Sequence, residues 1–199
     1  MDEARKPLPF ENVKVSRLPP LSEPLDPITL GLFEDTLARG GHILNLHIMN
    51  GHAPKLARAR RPYTKALRSE CSAPRQLREI AIVRASQLVG CDYELKQHSK
   101  MVLAAGLTQA QLDALGDWRA NAQLFDERQR ALLAYLDCLG LKKGDVDDAT
   151  FAGMEKFFLP QEIIELTQCF TSYYGSGIFM RAMQLKLDAP NKSAAPGTF

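Results

Sequence analysis

The sequence predicts an all-α protein, on three observations. Apolar residues recur every three or four positions along most of the chain. No stretch keeps the two-residue alternation of a half-buried strand between hairpin turns, and the breaks fall at residues that start or stop helices. With 199 residues, 45% apolar and 24% charged, the chain has the composition of a globular protein and the length for one domain with a substantial core.

Residues 1–27 hold six of the twelve prolines: Pro7, Pro9, Pro19, Pro20, Pro24 and Pro27. Proline removes a backbone donor and fixes the chain as extended or turning, so this stretch reads as an arm lying on the surface or on a neighbour. A single helical domain over 28–188 follows. Residues 189–199, rich in Pro, Gly, Ser, Lys and Ala, read as a disordered tail.

Within the domain, the spacing predicts short helices over 28–39 and 42–50, parted at Gly40-Gly41. A basic amphipathic helix over 54–70 contains Pro62, where a bend is expected. The next helix, 74–89, opens at Pro74 after Ser72 and stops at Gly90. A helix over about 91–105 ends at Gly106, where a left-handed residue is expected. Thr108 and Gln111 form a capping box for a short helix. Asp126 caps 127–139, which Gly140 ends, and Asp147 or Asp148 caps 149–158. Pro160 opens a last helix reaching about Leu187, with Gly175 and Gly177 as points of close packing or a kink.

The net charge of +2 gives no footprint for nucleic acid, and the cluster Arg58, Arg60 and Arg61 reads as a solvated helix face. The first residues lack the apolar centre of a signal peptide, and no stretch approaches a bilayer span; a cytoplasmic, non-membrane protein is expected. Cys71, Cys91, Cys138 and Cys169 are scattered without paired metal-type spacing and are expected as free thiols.

The informative stretch is Gly90-Cys91-Asp92-Tyr93-Glu94-Leu95-Lys96-Gln97-His98. At about 100° per residue, Cys91, Glu94 and His98 fall within an arc of roughly 60° on one helix face. Leu95, Val102 and Ala105 share that face, which marks it as the buried one. Polar groups placed there need partners or a cavity, because unpaired burial is costly. A thiol at a helix start is favoured as thiolate, a carboxyl in an apolar cleft can give as well as take a proton, and an imidazole can relay it. The same spacing also fits a core helix with one satisfied His–Glu bond and an inert cysteine. Glu79 adds a second carboxylate, in a helix that is apolar nearly all round; His98, Arg75 or Arg78 could pair with it.

Taken together, Glu79, Cys91, Tyr93 and His98 resemble the signature of the AhpD-like alkylhydroperoxidases, Glu…Cys-x-Tyr-Cys-x-x-x-His. In that family a glutamate and a histidine relay protons to a redox dithiol. Here Glu94 stands where the second cysteine belongs, so the sulfur that resolves a sulfenic acid within the motif is missing. Glu94 to His98 instead resembles the Glu-x-x-x-His of gamma-carboxymuconolactone decarboxylases. Tyr93 to Thr108 is similar to a broad subgroup of that superfamily, whose layout matches from about 28 to 188. The resemblance implies an AhpD-like helical bundle, assembled as a homo-oligomer with sites near subunit contacts.

The function expected on this basis is a cofactor-independent, lyase-like enzyme acting on a small carbonyl, lactone or carboxylated substrate. Glu94 and His98 are its acid/base pair and Glu79 orients His98. A nearby cation could hold a substrate carboxylate; Arg75, Arg78 and Arg84 are all available. Two alternatives stay open: a single-cysteine peroxidase or redox sensor using Cys91, and a non-catalytic helical oligomer. Tyr93 reads as a residue that packs behind the site, and Trp118, Phe157, Phe158, Tyr173, Tyr174 and Phe179 read as core or oligomer interface. His42, His47 and His52 recur every five residues, about 140° apart on a helix, so no metal site is expected from them. No cofactor loop is present: Gly175-Ser176-Gly177 lacks the length of a phosphate-binding loop.

Overall fold

The computed structural model describes residues 13–189, and every regular element among them is helical. The helices are α1 (Pro27–Ala38), α2 (Asn45–Asn50), α3 (Pro54–Ser69), α4 (Arg75–Val89), α5 (Asp92–Ala104), α6 (Gln109–Ala114), α7 (Glu127–Leu141), α8 (Asp148–Glu155) and α9 (Pro160–Ala182), with two 3-10 turns between α6 and α7. The chain divides into two compact units, residues 63–182 and residues 13–62 with 183–189. Residues 1–12 of the expected arm and 190–199 of the expected tail lie outside the described residues. No described helix is long and apolar enough to cross a membrane.

In the unit 63–182, α4 is the central element and packs on α5, α7 and α9. Ile80, Ala81, Val83 and Ala85 are wholly buried, so every face of the helix is covered. At roughly 1.5–3 kcal/mol for each large aliphatic side chain removed from water, this burial fixes α4 and any polar group it carries. Leu132, Leu136, Leu166 and Phe170 complete the core around it.

The helix boundaries follow the local chemistry, with two corrections. Thr108, Asp126 and Asp147 cap α6, α7 and α8 by accepting backbone N–H bonds from Gln111, Gln129 and Thr150, as their side chains predict. Gly140, read as the end of its helix, lies inside α7. A Cβ there would sit 2.6 Å from Leu88 Cδ1 and 3.2 Å from Phe170 Cζ, so this glycine serves close packing. The stop comes later, at Lys143 and Gly144, both with positive φ. The last helix ends at Ala182, short of Leu187, and Gln184 adopts a left-handed φ of 51° just beyond it.

In the other unit, residues 13–26 form no helix. Lys186 N–H donates to the Val15 carbonyl and Arg17 N–H to that of Met183, while Asp188 accepts from the Asn45 N–H. The part of the arm that is described therefore lies against this chain's own 183–188 segment.

Candidate active site

Two helix ends place the site. Gly90 takes φ 68°, a conformation that suits a residue without Cβ, and closes α4 by donating to the Ser86 and Gln87 carbonyls. Cys91 N–H then donates to the Ser86 carbonyl at 2.9 Å, and Arg181 caps the Val89 carbonyl. The chain turns sharply, so α5 starts at once with Cys91 as its N-cap residue. Glu94 and His98 follow on the first two turns of α5, facing α4.

The structure brings Glu79, Glu94 and His98 together. His98 Nδ1 donates to Glu79 Oε2 at 2.7 Å, and His98 Nε2 lies 3.5 Å from Glu94 Oε2. Glu79 thereby selects the protonated nitrogen and turns the other toward Glu94. The 3.5 Å separation couples Nε2 to Glu94 through charge without a short bond. Side-chain exposure is 4% for His98 and 7% for each glutamate, so all three groups are largely stripped of water. Glu79 is bound by His98, which settles the choice of partner for it; Arg78 donates to the backbone carbonyls of Ala73 and Leu67.

Cys91 is buried beside them. Burial pushes its thiol up; the backbone N–H of Glu94 pulls down, the Glu94 carboxylate pushes up again, and the N–H of Tyr93 pulls down. Gly177 of α9 makes this packing possible: a Cβ there would collide with Val89 Cγ1 and lie 3.2 Å from Cys91 Cβ. Cys169 is more deeply enclosed, and burial pushes its thiol up to about 12, with Glu79 adding to the rise. Among the described residues the four cysteines form no disulfide.

Tyr173 belongs to this site, a role the sequence reading assigned only to packing. Its ring meets the His98 imidazole edge-on, with centroids 4.9 Å apart at 79°. The signal was present in α9: Tyr173 lies one turn before Gly177, so both share the face that approaches Cys91 and His98.

The remaining candidates fall elsewhere. Tyr93 is buried, as a packing residue would be. Of the cations expected to face a substrate, Arg84 is paired with Asp137 at 2.6 Å, Arg78 holds the two carbonyls above, and Arg75 is exposed at the start of α4. None of these contacts is with Glu79, Glu94 or His98. His47 Nδ1 accepts from the Leu44 N–H and His52 Nε2 contacts the Pro19 carbonyl. No group of three or more His, Cys, Asp or Glu among the described residues is arranged to hold a metal ion.

Known proteins resemble this chain in one family match and in fold. Residues 54–137 match the Carboxymuconolactone decarboxylase family, a span that contains Glu79, Cys91, Glu94 and His98. No curated protein matches significantly. An alkylhydroperoxidase AhpD core from Ralstonia eutropha JMP134, an uncharacterized peroxidase-related protein, superposes with TM-score 0.74 at 19% identity, covering 90% of this chain and 95% of that one. A peroxidase-related protein from Silicibacter sp. TM1040 gives 0.74 at 17% identity, over 95% and 97%. The debrominase Bmp8 gives 0.69 at 19% identity, over 89% and 94%, and a cysteine-to-alanine form of it is known with 2,3,4-tribromopyrrole. These likenesses show an AhpD-like fold.

Proposed function

From the carboxymuconolactone decarboxylase match over residues 54–137, we propose that this protein is an acid/base enzyme acting on a small carbonyl, lactone or carboxylated compound without a dithiol. The observation that carries the reading is the 2.7 Å bond from His98 Nδ1 to Glu79. It fixes the imidazole so that Nε2 addresses Glu94, the group that exchanges a proton with the substrate. In a decarboxylation the C–C bond to the leaving carboxylate breaks, CO₂ departs, and the electron pair stays on carbon or its adjoining carbonyl oxygen. A proton from Glu94, replaced through His98, then completes the product. Nothing is oxidised or reduced, so no second sulfur is needed.

A second reading has its own support. The backbone N–H groups of Glu94 and Tyr93 act on the Cys91 sulfur at the start of α5, a setting that would receive a thiolate. The Cys91 thiolate would then attack the outer oxygen of a hydroperoxide, breaking its O–O bond and releasing the alcohol once its oxygen is protonated, and the sulfenic acid left on Cys91 would be reduced by an external thiol. Burial opposes that ionisation, which favours the first reading.

Glu94→Gln and Cys91→Ser, assayed against lactones, β-keto acids and organic hydroperoxides, separate the two. The first reading expects the Glu94→Gln change to cost ~100-fold or more in kcat and Cys91→Ser to cost little. Loss confined to Cys91→Ser, on hydroperoxides, would move the assignment to the thiol. Full turnover in Glu94→Gln would leave the cluster as a packing feature.

A further inference from the structure

The two carboxyls beside His98 grip it unequally. Glu79 holds Nδ1 at 2.7 Å, whereas Nε2 stands 3.5 Å from Glu94, too far for a short bond. The torsion that joins a histidine ring to its Cβ is broad and soft. One bond at Nδ1 therefore leaves the ring plane able to rock, and Nε2, on the far side of the ring, swings with it. A third contact is needed to keep Nε2 turned to Glu94.

We propose that Tyr173 is the positioning residue of His98: its ring fixes the plane of the imidazole while Glu79 fixes the tautomer. The proposal rests on the acid/base reading above and adds to it a residue that acts only through His98. The two rings stand edge-on, with centroids 4.9 Å apart at 79°, a geometry in which aromatic rings attract each other. Both side chains are buried, so neither ring has open space to turn into. Burial pushes the Tyr173 hydroxyl up. The side chain therefore stays neutral beside the imidazole and leaves the proton to the histidine and the carboxyls.

A ring can hold its neighbour only if the helix that carries it is itself held. Gly177 and Arg181 follow Tyr173 along α9 at four-residue steps, so the three share one side of the helix. Gly177 lies against Val89 and Cys91 at the corner between α4 and α5, and Arg181 donates to the Val89 carbonyl. The start of α5 and the ring of His98 are thus held from one surface of α9.

The test follows full-length protein carrying ¹⁵N-histidine, with no ligand added; its four histidines are assigned by single replacement. His98 should give one sharp set of signals, protonated at Nδ1, in the unchanged protein and in Tyr173→Phe, which keeps the ring. Tyr173→Met fills the space without a ring, and there the His98 signals should broaden or split. Fluorescence of Trp118, the one tryptophan, checks folding, and Tyr173→Leu replaces the methionine variant if that one unfolds. Turnover of the lactones and β-keto acids above is the second readout. Tyr173→Met should lower kcat about tenfold or more and change KM less than about threefold, while Tyr173→Phe recovers most of the loss. Glu94→Gln should keep the sharp His98 signals, so failure of the acid/base reading shows in turnover and failure of the positioning role in the spectrum. Signals as sharp without the ring as with it would overturn the proposal. Tyr173→Phe falling as far as Tyr173→Met would do the same, by moving the role to the hydroxyl.

Discussion

Two buried charged clusters hang from α4, five residues apart, and they differ in what their protons can do. Asp137 Oδ1 accepts from Arg84 Nε at 2.8 Å and Nη2 at 2.6 Å, while Oδ2 accepts from Trp118 Nε1 at 3.0 Å and Arg119 at 3.4 Å. Arg84 also reaches the Leu115 and Gly116 carbonyls. A guanidinium does not release its proton in water, so that cluster has one protonation state. Around His98, two carboxyls face one imidazole, and a proton has more than one place to sit. Burial of charge is common to both; a movable proton belongs to one.

The largest expected effect breaks the pair apart on stability. Asp137→Asn leaves the Arg84 cation buried against a neutral amide, and loss of one partner in a buried ion pair costs about 3–5 kcal/mol. Glu94→Gln keeps the shape and a hydrogen-bonding group, so its cost should stay within about 1 kcal/mol while activity falls. Urea unfolding of both variants at pH 7 reads the difference. Equal destabilisation would mean that Glu94 holds the fold as Asp137 does.

That contrast also explains what could be read before any coordinates. Helix positions were legible because caps and stops are local: Thr108, Asp126 and Asp147 each act on the residue three positions on. The meeting of Glu94 and His98 was legible from one helix's periodicity, and the Glu79 contact from the resemblance and from its burial. Gly140 was misread because a glycine in a helix looks the same whether it ends the helix or admits a neighbour. Its neighbours, Leu88 and Phe170, are distant in sequence. Tyr173 was missed for the same reason, since it reaches His98 from a separate helix. Arg84 was offered as a substrate cation because its partner lies 53 positions away.

A smaller effect should come from the glycines of α9, of which one packs against the start of α5 and the other faces open space. A methyl added at Gly177 meets Val89 Cγ1 and Cys91 Cβ, whereas one added at Gly175 meets nothing within 4 Å. Gly177→Ala should cost about 1–3 kcal/mol through overpacking and lower turnover by moving Cys91 and the start of α5. Gly175→Ala should be neutral or stabilising by up to about 1 kcal/mol, because alanine suits a helix interior. Thermal melts and turnover measured together decide it. A Gly177→Ala protein as stable and active as Gly175→Ala would show that the site tolerates a looser approach of α9.

The smallest effect compares two histidines. His98 is held between carboxyls, but His47 has its Nδ1 engaged by the Leu44 N–H, and burial lowers its pKa to about 4, with Asp188 opposing and Arg61 adding to the fall. The unfolded imidazole takes up its proton near 6.5 and the folded one only near 4. Between those values the unfolded chain binds more protons, so stability is full above pH 6.5, declines as the pH drops through the window, and levels off below about 4. Water reaches part of this ring, so the decline from His47 should be on the order of 1–2 kcal/mol. His47→Gln should remove that share of the slope between pH 7 and pH 4 and leave turnover at pH 7 unchanged. Urea midpoints at the two pH values test the first half and an assay at pH 7 the second. An unaltered slope would assign the proton uptake to another group, whereas lost turnover would tie the 13–62 unit to the chemistry.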